Sequence, residues 1–204
     1  MDGLAAPSLL GLDTRIWQAI VAGLVVAAGW LVNGWRNRQE RRADRAERLR
    51  DAHRALFAEI RAYLSQLVSH EELERYRDTL IDRMERDATF VPFVPRERAD
   101  RVFSSLLDEI HILPRVTIDP VVTYYAHLHA IEALADDMRG QSYANLPPDR
   151  RIRIYRDYVA MKVLALDYGN FCLRVIDAYA REGKDGAEAE ARALSSPDAA
   201  RSGP

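Results

Sequence analysis

Between residues 16 and 35 the chain reads IWQAIVAGLVVAAGWLVNGW, twenty residues without a formal charge, and directly after Trp35 the pattern turns polar and arginine-rich. Twenty residues of helix cover about 30 Å, the thickness of a bilayer's hydrocarbon core, so the run predicts a transmembrane helix. Its polar members, Gln18 and Asn33, lie near the two ends. Trp17 and Trp35 are roughly 27 Å apart along such a helix. With Trp30 they put indole rings near the interfaces, where amphipathic aromatics are most favourable. A cleaved signal peptide competes with this reading, with VAA at 26–28 as its small-residue site. The preceding segment carries Asp2 and Asp13 against Arg15, however, and lacks a basic start.

Past Trp35 there is no proline before Pro92 and no glycine before Gly140, so nothing interrupts helix across residues 36–68. Leu49, His53, Leu56, Ile60, Tyr63 and Leu67 recur at alternating spacings of four and three. That seam serves either a short coiled coil between chains or the chain's own bundle. Four more helical patterns follow. The first places Leu73, Tyr76, Leu80 and Met84 on one face, and the second contains Val102, Phe103, Leu106, Leu107, Ile110 and Leu113. The third, with Asp119 as N-cap and Pro120 in the first turn, runs through Tyr124, Leu128, Ile131, Ala135 and Met138. The fourth, over residues 148–182, has two apolar stripes, one through Ile152, Tyr155, Val159, Leu166 and Leu173 and one through Tyr158, Ala165, Tyr168, Cys172, Val175 and Tyr179. A helix apolar on two sides is usually central.

The expected architecture is all-α: one N-terminal transmembrane helix continuing into a juxtamembrane helix and a cytoplasmic antiparallel bundle of four to five helices. The expected boundaries are a short extracytoplasmic segment at 1–15, the span at 16–35, the arginine-rich helix at 36–68, the bundle at 69–182 and a disordered tail at 183–204. One connector is unusual. In TFVPFVP, residues 89–95, Phe90, Val91, Phe93 and Val94 alternate with prolines where a polar turn is expected. It either caps the bundle core or offers an apolar contact to a partner or a membrane surface.

Charge sets the orientation. The formal net charge is only −2, yet eight arginines between Arg36 and Arg54 face four carboxylates, Glu40, Asp44, Glu47 and Asp51. Basic residues are retained on the cytoplasmic side, so the N-terminus is expected outside and the C-terminal domain in the cytoplasm. Arg36, Arg38, Arg41 and Arg42 with Trp17, Trp30 and Trp35 are the expected membrane-interface residues, with anionic headgroups as their partner. Several opposite charges in the block lie three or four residues apart, as on a solvated helix face. No aromatic interleaving or DNA-reading motif accompanies the arginines, which argues against nucleic acid. Only two of the 29 basic residues are lysine, a bias that together with abundant Ala and Asp suggests a GC-rich bacterial coding sequence and hence a bacterial inner membrane.

Candidate chemistry is sparse. Cys172 is the only cysteine, so no intramolecular disulfide can form. Asp108 with His111, and His129 with Glu132, have i,i+3 spacing that resembles half of a di-iron site, but one pair is reversed and His127 and His129 point to different helix faces. No phosphate-binding glycine loop, nucleophile elbow, His-Glu-x-x-His or Cys-x-x-Cys is present. No catalytic, metal or cofactor-binding residue is therefore assigned. The expected function is a membrane-anchored helical interaction or scaffold module, structural or regulatory, binding another protein or its own copies. The alternatives are a lysis-type protein acting through assembly of its span and a cryptic metal-binding enzyme.

Overall fold

The structure is a computed structural model that describes residues 14–67, 69–96 and 100–195, without the side chains of residues 14–17, 19–21, 194 and 195. Among the described residues it is all-α, with no strand. The helices are α1 (Thr14–Leu67), α2 (His70–Arg86), α3 (Arg101–Leu106), α4 (Arg115–Arg139), α5 (Gln141–Ala144) and α6 (Pro148–Ser195), with a 3-10 turn at Leu107–Ile112. The chain divides into two units, residues 1–47 and 48–204.

The first unit is the leading part of α1. From Ala22 through Glu47 every side chain is exposed apart from half-buried Gly34. The apolar ones are bare too: Trp30 is 81% exposed and Leu31 75%. A methyl group added at Gly23, Gly29 or Gly34 would meet nothing within 4 Å among the described residues. Among the described residues no helix is long and apolar enough to cross a membrane. The described side chains therefore do not by themselves supply the expected span. Five of the twenty positions in the run 16–35, residues 16, 17 and 19–21, have side chains outside the description.

The second unit is a bundle built on seven-residue repeats. In α1, the seam residues Leu56, Ile60, Tyr63 and Leu67 are buried in the same core as the other helices, with Leu49 half-buried against it and His53 buried beside Thr117. Of the two readings of that seam, the structure takes the intrachain one. The buried stripe of α4 runs Thr117, Val121, Tyr124, Leu128, Ile131, Ala135 and Met138, alternating steps of four and three throughout. Such a stripe keeps one face toward a neighbouring helix. α6 is central as expected, burying Ile152, Tyr155, Val159 and Leu166 as well as Tyr158, Ala165, Cys172 and Val175, but of the expected stripes Leu173 and Tyr179 are only half-buried and Tyr168 is exposed.

Four local expectations are corrected. On α2, Tyr76 faces outward and the buried residues are Ile81 and Met84, because the inward face runs through Leu73, half-buried Arg77, Leu80, Ile81 and Met84. The pattern from Val102 to Leu113 does not make one helix: six residues of α3 give way to the 3-10 turn, and Leu107 is half-exposed. α4 begins at Arg115, one turn before the expected start. There the Pro114 carbonyl accepts the Thr117 and Ile118 N–H groups, both at 2.9 Å, so Pro120 lies inside the helix and is buried. A proline there forfeits one intrahelical bond. Finally, helix persists beyond residue 182 to Ser195, whereas residues 196–204 lie outside the described residues. Gly183 (φ 72°, ψ −155°) breaks it in a backbone region open essentially to glycine alone. Fully buried Ala187 and an Arg174–Glu190 ion pair at 3.6 Å then tie the returning segment down. A single buried methyl leaves no sustained apolar face for a sequence to display.

Gly169 sets the closeness of packing. A Cβ there would lie 2.7 Å from Leu64 Cδ2 and 3.0 Å from Tyr124 Cε2, so α1, α4 and α6 converge where α6 has no side chain. Gly169→Ala is expected to destabilise the protein by about 1–3 kcal/mol through overpacking. Combined with Leu64→Ala, it should cost less than the sum of the two single changes by at least about 0.5 kcal/mol. Urea unfolding followed by circular dichroism measures both, and strict additivity would contradict the convergence.

Candidate functional site

The helices hold three kinds of polar device, and only one of them opens on a cavity of useful size. The first is a carboxylate inside the bundle. Glu59 of α1 accepts the Val102 N–H at 2.7 Å, the Phe103 N–H at 3.1 Å and the Tyr125 hydroxyl at 2.6 Å. The first turn of α3 leaves N–H groups without intrahelical acceptors, and Glu59 supplies the acceptor from across the bundle. The Phe103 ring stacks on Tyr125 at 4.1 Å. Burial, followed by the bond to Glu59, pushes the Tyr125 phenol well above its ordinary range. Every one of these contacts is internal, so Glu59 is a structural cap.

The second device is a strap. Arg151, only 4% exposed, donates to the carbonyls of Phe90 at 3.1 Å and of Ala88. Its own carbonyl accepts the Tyr143 hydroxyl at 3.0 Å, and burial pushes that phenol up to about 12. Arg139 donates to the Pro95 carbonyl at 3.0 Å, and the Arg83 guanidinium sits 4.1 Å above the Phe90 ring. The connector 89–95 is thus fastened to the bundle. Val94 is buried, and Phe90 and Val91 are half-buried against the core. Phe93 alone of the four points outward, 86% exposed.

The third device is the cleft. It lies between residues 49–57 of α1 and 176–180 of α6 and has a volume of about 430 Å³. Its walls are Leu49, Phe57, Ile176, Tyr179 and Ala180, with His53 among them and Arg50, Arg54 and Asp177 at its edge. His53 is 5% exposed and its ring meets Tyr179 edge-on at 5.1 Å. The Thr117 hydroxyl donates to the Pro114 carbonyl at 3.0 Å, so toward His53, 3.1 Å away, it acts as acceptor. Nε2 therefore carries the proton and Nδ1 is the ring's remaining acceptor. Burial holds the ring neutral, lowering its pKa to about 4.

Other sequence candidates are dispersed or engaged. His127 Nε2 donates to the Met161 carbonyl at 2.8 Å, and its ring abuts Tyr168 at 5.2 Å. His129 pairs with Asp100 at 3.1 Å beside a cavity of only about 30 Å³, room for a water or so. His111 is exposed on the 3-10 turn. Among the described residues no three His, Cys, Asp or Glu side chains converge as metal ligands. Cys172 is buried, and desolvation raises its thiol to about 12, a weak nucleophile. Trp30, Trp35, Arg36, Arg38, Arg41 and Arg42 are exposed, while the Trp17 side chain lies outside the described residues.

No protein-family model, curated protein or solved structure matches the chain.

The buried imidazole predicts a pH dependence. In the unfolded chain His53 takes up a proton near pH 6.5, whereas in the folded protein it does so only near pH 4. Its contribution is complete above pH 6.5 and is lost as pH falls toward 4, by about 3 kcal/mol in all. In His53→Gln that part of the slope should be gone. Unfolding free energies of both proteins across this window measure the difference, and parallel curves would show that His53 titrates normally.

Proposed function

We propose that the chain is a single-span protein of a bacterial inner membrane, N-terminus outside, that holds a helical interaction module at the cytoplasmic face. The observation that carries this reading is the nakedness of the first unit. An α-helix exposing Leu24, Val25, Val26, Trp30, Leu31, Val32 and Trp35, each between 58% and 81%, offers water a large continuous apolar surface. Soluble monomers rarely do so, and a bilayer covers such a helix on all sides at once. The described stretch from Ala22 to Trp35 covers about 21 Å, and the uncharged sequence reaching back to Ile16 extends it to about 30 Å.

Arg36, Arg38, Arg41 and Arg42 follow immediately, all exposed, and favour the side that bears anionic lipid. The helical body then works as a docking module. Phe93 supports this: its neighbours in the strapped loop are buried, so the backbone holds a lone aromatic outward at little further entropic cost on binding.

Alkaline carbonate extraction of native membranes is expected to leave the full chain in the pellet, and Leu24→Asp with Val25→Asp should shift it to the supernatant. Reporters fused at the C-terminus should be active only if they work in the cytoplasm, and replacing the four arginines by glutamine should produce mixed orientation. Full release of the unaltered chain would end the span reading, and a periplasmic reporter signal would reverse the orientation.

A further inference from the structure

We propose that the cleft between residues 49–57 and 176–180 binds a single-chain amphiphile: one acyl chain carrying an anionic head. Its volume of about 430 Å³ falls within the ordinary range for small-molecule sites, about 300–1,000 Å³. A single turn of α-helix, about 10 Å across and 5.4 Å long, would already fill about 420 Å³. A peptide helix of two or more turns therefore exceeds the cleft, whereas one flexible chain fits. The walls that receive the chain are Leu49, Phe57, Ile176 and Ala180, which offer carbon and no hydrogen-bonding side chain.

The rim selects an anion. Arg50 and Arg54 are one helical turn apart and therefore share a side of α1. The cleft's only carboxylate, Asp177, is taken by Arg181 at 2.9 Å. Arg54 meets Asp51 only at 3.9 Å, with side chains 81% and 68% exposed, a pair worth little in water. Arg50 is exposed and enters no ion pair among the described residues. Both guanidiniums can close on a carboxylate or phosphate, which arginine binds by paired N–H donors.

His53 also lines the cleft, and with Nε2 engaged by Thr117 its Nδ1 is the ring's remaining acceptor, available to a head that also carries a hydroxyl. The shared ligand chemistry is thus an acyl chain with a carboxylate or phosphate head. A free fatty acid and a lysophospholipid of the phosphatidic type are its two sources.

The test uses the full chain in phosphatidylcholine vesicles with palmitic acid bearing a photoreactive diazirine near its methyl end, and adducts are mapped by peptide mass spectrometry. Saturable adducts on residues 49–57 and 176–180 are expected. Unlabelled palmitate or lysophosphatidic acid should compete, the stronger of the two identifying the head. Inorganic phosphate should not compete.

Ala180→Trp fills the cleft from an exposed position and should abolish these adducts while leaving any on residues 16–35 unchanged. Arg50→Gln with Arg54→Gln should reduce them at least about fivefold, and circular dichroism should show both variants folded. The diazirine alcohol of equal chain length should label the cleft weakly. Adducts confined to residues 16–35, adducts undiminished in either variant, equal labelling by the alcohol, or failure of both competitors would each overturn the site. The first of these outcomes leaves the membrane reading standing, so the two ideas fail separately.

Discussion

The second unit depends on how near three helices can come to one another at Gly169. Leu64 and Tyr124 occupy the space that a side chain on α6 would need, and this closeness lets the heptad seams of α1 and α4 share one core with the broad face of α6. The longer polar reaches follow from it. Glu59 arrives at the start of α3, Thr117 arrives beside His53, and Met161 presents a carbonyl to His127 because the backbones lie close enough for single side chains to bridge them. Interiors packed to crystal-like density transmit such constraints, so a small displacement at Gly169 would be felt at each bridge.

Long periodic elements were legible in the chain and short or distant ones were not. The seams of α1, α4 and α6 announce themselves because many residues repeat one spacing, and their burial follows that spacing closely. The misread starts and stops each turn on a single local event. Pro120 looks like a first-turn residue, but the Pro114 carbonyl begins the helix earlier by accepting two N–H groups, a competition that no local pattern displays. The return after Gly183 likewise turns on that residue's backbone conformation, with the Arg174–Glu190 pair holding the segment that follows. The all-α class survives these errors because it rests on the sum of long segments.

The cleft was half legible. Leu49 and His53 belong to a seam that the spacing exposes, but their facing residues, from Ile176 to Ala180, lie more than a hundred residues further on, where no motif marks them. The histidine pairs drew attention for the opposite reason: their spacing suggested chemistry that the helix faces do not assemble. In the connector 89–95, Val94 turns into the core, as a cap would, and Phe93 turns out.

Arg151 holds that connector through carbonyl oxygens and not through side chains. Every amino acid brings the same carbonyl, so these two bonds do not depend on the side chains at 88 and 90, although the Phe90 ring separately packs under Arg83. The strap is strict about where the backbone lies. One residue added between Ala88 and Phe90 would move an acceptor away from a guanidinium that is only 4% exposed. The two carbonyl bonds thus fix the contour of the connector more than its side-chain chemistry.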